Sequence, residues 1–225
     1  MAKKTYEPPE DKGDNNASEN AKGTKKTYAT PDMKVEDDLN TPSYGSKFKQ
    51  KDHEEKMNVY DAINFIMRVA GVTREEAVEM EDAIWEWTGT SYTNIRHFQQ
   101  TGEGNDEIKK FSENVEKYIE RAAKWGGGVT YRGVKTFSKD IVIGDTIDMN
   151  GTASWSTREG VAKSFSGYKG GIVFVCDTQS KGTSTKFAHQ HYMENEVTVS
   201  RSAKYVVQSV KINSEGKTYV YVKEA

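Results

Sequence analysis

Trp125-Gly126-Gly127-Gly128-Val129-Thr130-Tyr131-Arg132-Gly133 is where the pattern of the chain changes. Before it, apolar residues recur at helical spacing; after it they alternate, as half-buried strands do. Upstream, Met57, Tyr60, Ile63, Ile66 or Met67 and Ala70 predict a helix over 54–70, closed by Gly71. Thr73-Arg74-Glu75-Glu76 is a capping box, and Ala77, Val78, Ile84 and Trp85 follow on a second helix. Trp87-Thr88-Gly89-Thr90-Ser91-Tyr92-Thr93-Asn94-Ile95-Arg96 reads as a turn into a third helix ending near Gly102. A fourth, over 105–125, carries Ile108, Phe111, Val115, Ile119 and Ala122 as one stripe. Such stripes are core faces.

Downstream, period two predicts strands over 129–134, 152–156, 171–176, 194–200, 204–212 and 218–222, interrupted by a short helix over 158–165. Helices first and strands afterwards argue for an α+β fold, its helical half (53–128) packed on a mostly antiparallel sheet or sandwich (129–225).

Residues 1–52 are nearly free of aliphatic side chains and cannot offset their ordering entropy, so a disordered tail is expected there. It repeats a motif: Lys3-Lys4-Thr5-Tyr6-Glu7-Pro8-Pro9 and Lys25-Lys26-Thr27-Tyr28-Ala29-Thr30-Pro31. Two basic-aromatic-proline patches fit either a docking, packaging or delivery motif, with a capsid or delivery partner, or plain linker redundancy. A formal charge of −2 over 225 residues gives no global basic footprint for nucleic acid. A single cysteine, Cys176, fits a reducing compartment. With no secretory signal and no apolar run long enough to cross a bilayer, a cytoplasmic protein without membrane partners is expected, packaged or delivered if the tail serves that purpose.

Three pieces of the β half carry chemistry. Tyr131-Arg132-Gly133 sets a guanidinium, a bidentate phosphate binder, beside a glycine that permits close backbone approach; a structural ion pair explains the arginine equally. Ser154-Trp155-Ser156-Thr157 lines up hydroxyls ahead of Val161-Ala162-Lys163-Ser164-Phe165, where they orient a carboxylate or cap the helix. Glu194 and Glu196 open a β-branched run, and on a regular strand they share one face about 7 Å apart. Such a pair suits a developing positive charge, though it is also common on solvated strand edges. A metal is not expected: His189 and His191, among four histidines, have no Cys pair or helical His-Glu-x-x-His beside them. Cys176 ends a buried-looking strand, and no Gly-x-Gly-x-x-Gly or Walker-type loop is present.

In this order, Tyr-Arg-Gly, Ser-x-Ser with its Val-Ala-x-x-Phe helix, and Glu-x-Glu resemble the Arg–Ser–Glu signature of the mono-ADP-ribosyltransferases. The likeness is to versions carried by bacteriophage and clostridial-type binary toxins, and it spans residues 55–225. Thr88-Gly89-Thr90-Ser91-Tyr92-Thr93-Asn94-Ile95 is similar to the family's Tyr-x-x-Ile-Asn-like helix. Trp155 stands where threonine is common, and Asn94-Ile95 inverts the usual Ile-Asn order.

The resemblance implies the family's β-sandwich core and NAD as substrate. Arg132 would bind the NAD phosphates or nicotinamide-side ribose, with Gly133, Tyr92, Ser154 and Ser156 around the dinucleotide. Ser154 would orient Glu196, which would grip the ribose 2′-hydroxyl and stabilise the oxocarbenium ion. Glu194 would be the general base, and a glutamate there resembles the arginine-modifying branch, whose target would be a host protein. Tyr168, in the loop after the short helix, would stack on nicotinamide; Phe187, His191 and Tyr192 would contact the target. Two other readings stay open: an NAD glycohydrolase, and a catalytically idle binding protein acting through its tail.

Overall fold

The computed structural model describes residues 57–137, 140–167, 171–188 and 194–225. The expected tail, with its repeat, lies outside them. Four helices come first: α1 (Val59–Ala70), α2 (Arg74–Thr88), α3 (Tyr92–Thr101) and α4 (Asp106–Arg121). The starts of α1, α2 and α4 follow from side chains that accept otherwise unpaired amides, whereas α3 has no side-chain cap. Asn58 accepts from Asp61 N at 3.0 Å and Asn105 from Ile108 N at 2.8 Å. The capping box closes on both sides, Glu76 N to Thr73 Oγ1 at 3.3 Å and Thr73 N to Glu76 Oε2 at 3.1 Å. Gly71 ends α1 in the left-handed region at φ 62°. The fourth helix stops at Arg121, short of the expected 125, because the following residues are drawn out beside a strand: Trp125 N donates to Gly182 O at 2.7 Å.

The rest is β1 (Thr130–Val134), β2 (Thr146–Asp148), β3 (Ala153–Ser156), α5 (Glu159–Phe165), β4 (Ile172–Cys176), β5 (Gly182–Ser184), β6 (Glu196–Val199), β7 (Lys204–Ile212) and β8 (Thr218–Glu224). A 3-10 turn, Lys186–Ala188, follows β5. All six expected strands form; β2 and β5, three residues each, are additional and too short to show a period. The strand order is β2-β7-β8-β4-β1-β3-β6-β5, antiparallel except between β4 and β8.

This sheet doubles over on itself. The link between β1 and β3 is a single pair, Tyr131 with Ser156, and the strands either side share one core. Trp155 of β3 and Tyr205 of β7, far apart in strand order, meet with ring centroids 5.2 Å apart. The architecture is thus α+β, with helices packed on a mostly antiparallel sandwich. Phe187 ties the two halves together. It is fully buried among the helices, 4.7 Å from the Phe65 ring and 5.8 Å from that of Tyr118, and its carbonyl accepts from Met57 N at 3.1 Å. Its expected role as a target contact is therefore corrected: it is a core residue with no surface to offer.

Strand β1 and helix α5 touch backbone to backbone. A Cβ on Gly133 would lie 1.8 Å from the carbonyl oxygen of Ala162. The close approach expected at this glycine is thus made to α5. Overpacking against backbone has no side chain to yield, so Gly133→Ala should cost more than about 3 kcal/mol in urea denaturation or fail to fold. Gly126→Ala, with nothing within 4 Å of the added carbon, should stay within about 0.5 kcal/mol of the parent.

Candidate functional site

The site is built on two neighbouring strands. Pairing sets Ser156 opposite Glu196, Trp155 opposite Val197 and Ser154 opposite Thr198. Alternation then sends Trp155 and Val197 into the sandwich core while the two serines share the opposite face with Glu196 and Thr198. The unusual residue between the serines is a core position, 1 % exposed, where bulk is accommodated by Tyr205.

Glu196 is buried, and one of its oxygens collects three donors. Oε1 accepts from Ser154 Oγ at 2.8 Å, from Thr198 Oγ1 at 2.7 Å and from Trp87 Nε1 at 2.9 Å. Donors of this kind favour the carboxylate over the acid and hold it in one orientation. The serine was legible in the sequence. Trp87 was not: it lies on α2, 109 residues from Glu196, and no local signal marks it.

Arg132 lies beside this carboxylate. Its Nη1 donates to the Ser154 carbonyl at 2.6 Å, joining it to the strand whose hydroxyl holds Glu196. Its Nε, buried, has no partner. Burial, and then the like charge of Arg96, lowers the guanidinium from the ordinary arginine range to about 10; Tyr205, Glu196 and Tyr92 pull the other way. It remains charged at neutral pH. Arg96, on α3, is mostly accounted for within the protein: Nη2 donates to Met149 O at 2.7 Å and Nη1 to Thr152 O. Tyr92, one turn earlier on the same helix, is 47 % exposed.

Glu194 departs from the expected geometry. The strand begins at Glu196, and Asn195 sits in the left-handed region at φ 48°, which asparagine tolerates better than most residues. The two glutamates are therefore not successive same-face positions of one strand. Glu194 is half-buried, and its carbonyl accepts from Ser156 Oγ at 2.6 Å. Ser156 Oγ also accepts from Arg158 N at 2.9 Å, so this serine ties the Glu194–Asn195 peptide to the residue that precedes α5. Tyr168, His191 and Tyr192 lie outside the described residues. Among the described residues no group of His, Cys, Asp and Glu is arranged to hold a metal ion.

No family model matches the sequence, and no curated protein matches it. Solved structures do match the fold. Exoenzyme S from Pseudomonas aeruginosa, in complex with human 14-3-3 protein beta and bound to carba-NAD, superposes with a TM-score of 0.57 at 18% identity, over 74% of this chain and 82% of that one. The Vis toxin, an ADP-ribosyltransferase from Vibrio splendidus, gives 0.57 at 18% identity, over 77% and 90%. The Clostridium limosum C3 exoenzyme gives 0.57 at 14%, over 76% and 97%. At these identities the likeness is one of fold, and the fold is that of the ADP-ribosyltransferases.

Arg132 illustrates what such a site costs. Its native value lies below that of an unfolded arginine, so the penalty of burying the charge is present in full at neutral pH and relieved as pH rises through about 10. Removing the guanidinium alone, Arg132→Met, lifts that penalty but leaves the buried Glu196 carboxylate without its cation and the Ser154 carbonyl without its donor, so stability at pH 7 should fall by about 3 kcal/mol in urea denaturation. The deficit should grow above pH 10, where wild type sheds its burial penalty and the variant has none to shed. A raised midpoint at pH 7 would mean that the burial penalty outweighs what the charge does for Glu196.

Proposed function

We propose that the chain is an NAD-dependent mono-ADP-ribosyltransferase of the Arg–Ser–Glu type that modifies a protein on arginine. The observation that carries this reading is Glu196: a buried carboxylate held by Ser154, with Arg132 hydrogen-bonded to the same strand and its Nε unpartnered. A buried guanidinium with a spare donor suits a phosphate or ribose oxygen.

The reaction breaks the bond between the nicotinamide nitrogen and ribose C1′, and the electron pair leaves with nicotinamide. Positive charge develops on the ribose ring, and Glu196, already oriented, stabilises it and accepts from the 2′-hydroxyl. Arg132 holds the dinucleotide, with Tyr92 supplying aromatic contact. An acceptor guanidinium then gives a proton to Glu194, and its nitrogen attacks C1′. A guanidinium is protonated at neutral pH, so a base is required, and Glu194 stands at the entrance to the same strand. Support for a guanidine acceptor comes from Vis, whose structure in complex with agmatine, itself a guanidine, has a TM-score of 0.56 to this chain. Support for a protein target comes from the fold, shared with enzymes named as toxins and exoenzymes. No helix among the described residues is long and apolar enough to cross a membrane.

Incubation of the full chain with labelled NAD and a cell lysate tests this reading. Wild type should give discrete labelled protein bands that hydroxylamine, which cleaves arginine-linked ADP-ribose, removes. Glu196→Ala should lower nicotinamide release by about 10²–10³-fold. Glu194→Gln should abolish protein label while slow NAD cleavage persists. Rapid loss of NAD with no labelled protein would make the chain a glycohydrolase. NAD left intact by wild type would overturn the catalytic reading.

A further inference from the structure

Among the described residues the serine is one of three donors to Glu196 Oε1, and the other two are unaccounted for by any motif. The indole of Trp87 has one donor and no acceptor, so in a core it must find a partner. It is 2 % exposed, wedged with Ala83, Ile95, Val115 and Ile119 of the helical half, and its N–H goes to Glu196 Oε1 at 2.9 Å. Thr198 Oγ1 donates to the same oxygen at 2.7 Å. Thr198 Oγ1 also lies 2.7 Å from Thr185 Oγ1. A hydroxyl has one proton; that of Thr198 is given to Glu196, so Thr185 must donate to Thr198. Both threonines are fully buried, and a hydroxyl chain in such surroundings polarises along its length.

We propose that Trp87, Thr198 and Thr185 are positioning residues that hold Glu196 ionised and in one orientation, so that a helix of the N-terminal half takes a direct part in setting the carboxylate. A charge coupled to this carboxylate is Arg132 of β1, which has Arg96 and Tyr92 of α3 and Tyr205 of β7 around it; Glu194 lies two residues before Glu196. The three donors to Oε1 are neutral. They orient the carboxylate without neutralising it, and so leave its charge to act on whatever lies before it.

This inference rests on the proposed role of Glu196 in NAD chemistry, and the experiment separates the two. Trp87→Phe and the isosteric Thr198→Val are compared with wild type across pH, with Trp125→Phe as an indole removed from elsewhere. Each site variant should lower kcat about tenfold, the effect of losing one hydrogen bond to a charge, while KM changes less than about twofold. Loss of a donor disfavours the anion, so the acid limb of kcat should move to higher pH. Trp125→Phe should leave kcat and the limb in place. Site variants that fold and keep both kcat and the acid limb would overturn the proposal, and Thr198→Val preserves the test if Trp87→Phe does not fold.

A readout independent of turnover is the indole N–H resonance of Trp87 in the 15N-labelled full chain, assigned by its loss in Trp87→Phe. It should titrate with the carboxylate, and Glu196→Gln should abolish the titration. An indole that titrates in a protein that leaves NAD intact would uphold the donor set and overturn the reaction. An indole indifferent to pH and to Glu196→Gln would overturn the donor set whatever the turnover.

Discussion

A carboxylate taken out of water must be given donors or lose its charge. At Glu196 those donors come one each from α2, β3 and β6, so the helices and the two strands must be registered to a few tenths of an ångström for the site to exist. A polar clamp behind it does that registering. Gln99 of α3 exchanges two bonds with Thr152, each 2.8 Å long. Glu116 of α4 accepts from Ser200 Oγ at 2.7 Å and Arg201 N at 3.0 Å. Thr152 enters the strand of Ser154, and Ser200 leaves the strand of Glu196. The helical half thus grips both strands at their ends and the carboxylate between them.

That rigidity is bought with groups that stability alone would not choose. Arg132 is buried beside a like charge with one donor unpartnered, and Asn195 occupies a left-handed conformation. Both features belong to the carboxylate's surroundings, and neither is needed to close the sandwich, whose core is a separate apolar cluster. A buried guanidinium with an unpartnered donor, held beside an oriented carboxylate, is what a preorganised electrostatic site requires.

The architecture was legible because its signals are local. The capping box and the helical stripes lie within single helices, and six strands are long enough for alternation to show. What escaped was whatever depends on partners distant in the chain. The strands β2 and β5 are three residues each, and only their neighbours make them strands. Phe187, among polar residues, reads as a loop contact until the helical core closes over it. The pair Glu194 and Glu196 reads as one strand face because nothing in a two-residue spacing reveals that Asn195 turns the backbone. In the site, Arg132, Ser154 and Glu196 were recognised as an ordered signature, whereas Trp87 had no pattern to announce it. Hydrogen bonds between side chains 109 residues apart leave no trace in one sequence.

The turn at Asn195 gives the two glutamates different mechanical surroundings, and under the proposed reaction this difference has a use. Glu196 is fixed by neutral donors on a strand, as suits a charge that must meet the ribose at one place in every turnover. Glu194 precedes the strand. Its carbonyl is pinned by Ser156, which is itself held by Arg158 N, and the residue is half-buried. A base that must reach the nitrogen of an incoming protein side chain needs access, which a half-buried carboxylate keeps. The backbone is therefore held at the start of the strand, and the left-handed residue between the two glutamates breaks their same-face relation, leaving Glu196 buried and Glu194 half-buried.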